Sequence, residues 1–140
     1  MDMYETDFVF SIVGLIFLVT GISAAKVPDL LGKWTGLESW YGEVNGSAKL
    51  TENKSLNVTV VEQKNRLVTG NMTYKLENGT GIVEGFTGAI GLDNKTLYFA
   101  EVDGGYDLGT IISNDEMELI YLQDGKMAEA TIGRLHRITA

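Results

Sequence analysis

Carboxylates and phenols that alternate with apolar residues are the groups in this sequence best placed to do chemistry. In residues 82–90 the apolar register runs Ile82, Glu84, Phe86, Gly88, Ile90, which turns Glu84 to the same side as its apolar neighbours. The run 68–76 groups Val68, Gly70, Met72, Tyr74 and Leu76 in the same way. The run 106–112 groups Tyr106, Leu108, Thr110 and Ile112, and 117–121 groups Met117, Leu119 and Tyr121. Counting from Trp34, the side chains of Gly36, Glu38 and Trp40 share one side. A wall carrying Glu38, Trp40, Tyr74, Glu84, Phe86, Tyr106 and Tyr121 sets a few polar groups in aromatic surface, which is how small-molecule pockets are built. Two plainer readings stand beside it. The tyrosines could be core and rim residues with their hydroxyls in water, and a β-bulge could turn Glu38 or Glu84 outward. An inward Glu84 needs a partner, for which Arg66, Arg134 or a tyrosine hydroxyl is available, because an unpaired buried carboxylate is costly.

Other chemistries find less support. Glu84 and Glu101 fall in neighbouring strand-like runs and could form a general acid–base pair, and little else in the chain points to catalysis. Glu101 sits in Tyr98-Phe99-Ala100-Glu101, a run that is apolar on both faces and leaves its direction open. His136 is the single histidine, so a multi-histidine metal site is excluded and a Ser-His-Asp triad could be built only around that residue. Next to the C-terminus it reads as a surface residue. Asp103-Gly104-Gly105-Tyr106-Asp107 lacks the spaced oxygen ligands of a calcium loop and reads as a hairpin turn. Asp115, Glu116 and Glu118 read as a solvated edge. There are no cysteines, which excludes disulfides and thiolate metal sites. The net charge of −8 speaks against nucleic acid as a partner, since phosphate binding depends on clustered Lys and Arg. No catalytic residue, metal or cofactor is assigned, and the expected protein is not an enzyme.

The elements that must position these residues are strands. From Trp34 onward no window keeps a helical stripe, and alternating runs occupy roughly 33–42, 47–51, 55–63, 66–76, 81–91, 95–102, 106–113, 116–123 and 127–138. Clusters such as Glu77-Asn78-Gly79 and Asp124-Gly125 separate them and supply the positive φ of tight reversals. Eight or nine strands with short connections make an antiparallel meander, because a parallel sheet needs long crossovers. Closure of about eight strands into an up-and-down barrel removes the exposed edges. Gly70, Gly85, Gly88, Gly91, Gly109 and Gly133 fall inside strand runs and read as places where such strands bend. An open sheet or a sandwich is the alternative.

Residues 8–25 hold eighteen positions without a charge, ending in Ser23-Ala24-Ala25, so 1–25 is expected to be a signal peptide or a membrane anchor and 26–140 the barrel domain. A buried helix is the third reading, and Asp2, Glu5 and Asp7 depart from the positive start of a conventional signal. Six of the eight asparagines begin an Asn-x-Ser/Thr triplet: Asn45, Asn53, Asn57, Asn71, Asn78 and Asn94. Turn chemistry accounts for Asn45 and Asn78 as well as glycosylation does. Leader and triplets together point to an exported domain, extracellular or anchored at the outer face of the membrane through 8–25. Without residues 1–25 the net charge is −5, which reads as solubility.

Leu31-Gly32-Lys33-Trp34-Thr35-Gly36 at the first strand, with Arg134 or Arg137 in the last, resembles the calycin superfamily of lipocalins, fatty-acid-binding proteins and avidins. The resemblance implies that Gly32 and Trp34 close one end of a barrel, with a basic residue, Arg134 or Arg137, packed on the indole. It implies a ligand cavity and does not say which ligand. The avidin signature has an Asn where this chain has Gly36, and only Trp40 accompanies Trp34, so no ligand site carries over. The leading expectation is an exported barrel binding a small apolar or amphipathic molecule. A cell-surface interaction domain with a filled core is the second, and a cavity in the barrel is what would separate the two.

Overall fold

The period-two alternation of the chain resolves into eight antiparallel strands that close on themselves. A computed structural model describes residues 25–139; the leader expected at 8–25 lies, apart from Ala25, outside the described residues. The strands are β1 (Gly32–Val44), β2 (Ser47–Lys64), β3 (Leu67–Lys75), β4 (Gly81–Ile90), β5 (Thr96–Glu101), β6 (Tyr106–Ser113), β7 (Glu116–Gln123) and β8 (Glu129–Arg137), with one 3₁₀ turn at Gly125–Met127. Each strand pairs with the next, and β8 returns to β1 with Trp34 opposite Arg137. Among the described residues no helix is long and apolar enough to cross a membrane.

The runs expected at 47–51 and 55–63 are one strand. The break between them is a β-bulge, since Glu38 faces Lys54 while Trp40 faces Thr51, and Asn53 takes the extra residue at φ 58°. A second bulge, at Val61, and the close approach at Gly70 bend β2 and β3 around the barrel. A Cβ at Gly70 would stand 2.0 Å from the Thr59 carbonyl oxygen, so only glycine fits there. Of the glycines read as strand bends, Gly91 lies just past β4 in the turn to β5.

One end of the barrel is packed solid. Residues 26–31 fold across it, and Leu30 and Trp34 are buried among Val58, Val60, Ile90 and Leu97. The Trp34 indole N–H donates to the Leu30 carbonyl at 3.0 Å. Arg137 stacks its guanidinium 4.2 Å from the Trp34 ring centroid and donates to the Leu31 carbonyl at 2.7 Å and the Asp29 carbonyl at 2.6 Å. Gln63 ties the same segment down, accepting from the Leu30 N–H and donating to the Pro28 carbonyl, both at 2.8 Å. The closure expected of Gly32, Trp34 and a basic residue is therefore made with Arg137. Arg134 has no part in it: opposite Leu37 it faces outward and pairs with Glu116 at 2.6 Å. The parity is physical, because Leu135 is inward, which sends residue 134 out and residue 137 in.

Candidate functional site: an acidic lumen at the open end

At the opposite end the β1–β2, β3–β4, β5–β6 and β7–β8 connections surround a cavity of about 370 Å³. Its wall holds Trp40, Leu56, Met72, Tyr74 and Tyr121 together with Glu38, Glu84, Glu101, Asp107 and Glu129. Strand parity places them. Tyr74 follows Met72 on β3, Glu84 precedes Phe86 on β4, and Glu101 follows Phe99 on β5.

Glu84 is buried, and both of its oxygens have donors. The Tyr74 hydroxyl donates to Oε2 at 3.0 Å, and the Asp103 N–H of the β5–β6 turn donates to Oε1 at 2.8 Å. Its partner is thus a tyrosine hydroxyl, while Arg66 caps the Ile90 carbonyl and Arg134 is outside. The Asp103–Asp107 segment is a hairpin turn with Gly104 and Gly105 at positive φ, and its backbone serves the lumen by capping Glu84. The Tyr121 hydroxyl has two acceptors within reach, Gln123 Oε1 at 2.8 Å and the Gly104 carbonyl at 3.1 Å.

Glu101 pairs across the ladder with Phe86 and Asp107 with Phe99, which brings the carboxyls of Glu84, Glu101 and Asp107 into one part of the lumen. Burial is the main cause that drives the Glu101 pKa up, and the two neighbouring carboxyls add to it, so it is held as the neutral acid. Burial likewise raises Asp107, with Glu84 adding and the hydrogen bond with Glu101 opposing. Asp107 is buried, and its Oδ2 has no hydrogen-bond partner among the described residues. Its neighbour is a carboxyl, which accepts unless it carries the proton of the pair. Glu38 is pushed up to about 7, first by burial and then by Asp107 and Glu129, with Lys54 pulling the other way. Burial raises Glu129, and burial followed by the Glu84 contact raises the Tyr74 phenol.

Five of the residues expected on the lumen wall are there: Glu38, Trp40, Tyr74, Glu84 and Tyr121. Phe86 is inward but lies in the packed core, stacked on Phe99 with centroids 4.7 Å apart. Tyr106 is 67% exposed on the outer face, because β6 has the reverse of the expected register: Asp107, Gly109 and Ile111 point in and Tyr106, Leu108 and Ile112 point out. A side chain at Gly109 would meet Leu119 Cδ2 at 2.7 Å and Leu97 Cβ at 3.0 Å, so larger neighbours fill that space. The reversal brings in Asp107, which apolar counting missed. Cross-strand pairing carries the missing signal, since Phe99 faces Asp107 and paired residues share a face.

None of the six triplet asparagines lines the cavity, though Asn45 and Asn78 sit in the β1–β2 and β3–β4 connections at its mouth. Asn45, Asn53 and Asn94 adopt positive φ at turns or the bulge, Asn78 accepts from the Thr80 N–H, and Asn57 accepts from the Thr35 hydroxyl. His136 is exposed on β8. Among the described residues no group of carboxylates or histidines has an arrangement that would hold a metal ion.

No family model matches this sequence, and no curated protein does. Among solved structures the chain is similar to EF1p2_mFAP2b bound to DFHBI, at TM-score 0.52 and 15% identity over 78% of this chain and 94% of that one. It is also similar to a redesigned β-barrel, mFAP0, bound to DFHBI, at TM-score 0.52 and 10% identity over 77% of this chain and 98% of that one. At these identities the likeness is one of fold.

Proposed function

We propose that this protein is a small-molecule binding barrel whose ligand enters the open end and rests against Trp40, Tyr74 and Tyr121. The cavity of about 370 Å³ carries the reading, because a barrel serving only as an interaction scaffold would fill its own lumen. Both similar solved barrels hold a small molecule, DFHBI, which accords with this use of the fold. The reading is of binding and not of catalysis, since Glu84 is engaged by Tyr74 and the Asp103 N–H as a fixed acceptor. The uncharged leader and the triplets support an exported protein.

The test is titration with the neutral fluorophore N-phenyl-1-naphthylamine. Saturable one-to-one emission enhancement is expected, abolished by Thr131→Trp, which fills the lumen from a half-buried wall position. Enhancement that is absent, or unchanged in Thr131→Trp, overturns the reading.

A further inference from the structure

The composition of the lumen wall is lopsided. Of its twenty residues eight are acidic and one, Lys75, is basic. An acidic lining alone could be solvated surface, but Asp107 is only 3% exposed, and its Oδ2 has no hydrogen-bond partner among the described residues. A buried oxygen without a partner is costly to fold around. Glu84 beside it already accepts from the Tyr74 hydroxyl and the Asp103 N–H, and Glu101, held as the neutral acid, has a single O–H to give, so Asp107 still presents Oδ2 without a donor. Tyr74 and Tyr121, the phenols near this cluster, already direct their hydroxyls at Glu84, Gln123 or Gly104. What the site lacks is a positively charged group with N–H donors, and it lacks it beside aromatic rings that attract cations.

Resting on the binding-barrel reading, we propose that the lumen takes an organic ammonium ion on an apolar or aromatic body, with its head seated against Asp107 between Glu101 and Glu84. The N–H donors of the head would satisfy Asp107 Oδ2 and leave the Tyr74–Glu84 bond intact. The body would lie along Trp40, Leu56 and Met72, toward the mouth. No three of these carboxylates are disposed to hold a bare metal ion, which favours a head that brings its own donors.

Three isosteric probes separate the contributions of charge and body: n-octylammonium, n-octanol and octanoate, titrated by calorimetry at pH 7.5 into the protein and into Asp107→Asn. Octylammonium is expected to bind at least about tenfold tighter than octanol, with octanoate weakest. Asp107→Asn is expected to remove most of that preference while octanol affinity stays within about twofold. Because the substitution removes a buried charge, the variant should melt no lower than the parent, which separates lost recognition from lost folding. Octanol or octanoate binding as tightly as the amine, or an amine preference unchanged in Asp107→Asn, overturns the ammonium assignment and leaves the binding barrel standing. Failure of all three probes, together with failure of the naphthylamine titration, overturns both.

Discussion

The two ends of this barrel treat polar groups in opposite ways. At the closed end Trp34, Gln63 and Arg137 each find backbone carbonyl or amide partners, and the guanidinium is shared between an indole face and the 26–31 segment. At the open end Glu38, Glu84, Glu101 and Asp107 crowd into one lumen, and Asp107 Oδ2 is unpaired. The closed end is arranged as a fold would be if stability alone decided. The open end keeps several groups in a state that stability alone would remove, and such sites are where function is usually found.

The sharpest way to break this contrast is at the closed end. Trp34→Ala should cost about 3–5 kcal/mol, because it empties a fully buried site and releases Arg137 and Leu30. A melting temperature that falls by less than about 5 °C in calorimetry would show that the indole is not the plug. Arg137→Ala should cost about 2–3 kcal/mol through lost charged hydrogen bonds and stacking, whereas Arg134→Ala should cost under about 1 kcal/mol as an exposed ion pair. Equal losses in urea melts of the two variants would undo the assignment of closure to Arg137.

At the open end the effects should have the opposite sign. Glu38, Glu101 and Asp107 have folded-state pKa values raised above their unfolded values, so their protonated forms stabilise the fold. That stability is fully present below about pH 4 and is lost as pH rises, for Glu38 across the window from 4.5 to about 7. Asp93, lowered to about 2 by its hydrogen bonds with Thr96 and Lys95, works the other way and loses its contribution only below 3.8. Melting temperature should therefore be higher near pH 5 than at pH 8 by several degrees, or about 1–2 kcal/mol. A flat profile between those values would mean that the lumen carboxylates are solvated. Asp107→Asn should raise stability at pH 8 by about 1 kcal/mol and flatten the profile, as read by chemical denaturation at both pH values. Smallest of all, Tyr106→Ser on the outer face should change stability by less than about 0.5 kcal/mol and leave naphthylamine binding unchanged. A binding loss there would return Tyr106 to the lumen.

Much of this was legible in the chain because alternation and turn residues are local. The meander, its closure and the inward direction of Tyr74, Glu84 and Tyr121 follow from apolar residues two apart, bounded by Asn, Asp and Gly. The β6 register was not legible, since its more apolar face, Tyr106, Leu108 and Ile112, is the exposed one. The preceding run, Tyr98-Phe99-Ala100, is apolar on both faces and could not settle which way β5 starts. One residue of uncertainty there reverses every side chain that follows. Phe86 was read in the right direction but at the wrong depth, because position along a tilted strand does not show in alternation.

Residue order alone dictated strands, turns and a supply of carboxylates at alternating positions, since these depend on neighbours in the chain, while the Trp34 plug was legible only through the resemblance its motif carries. Folding decided three further things: that Arg137 and not Arg134 meets Trp34, that Asn53 marks a bulge within one strand, and that Asp107 comes to lie beside Glu101. Each depends on pairing between strands, where a shift of one residue exchanges the inside of the barrel for the outside.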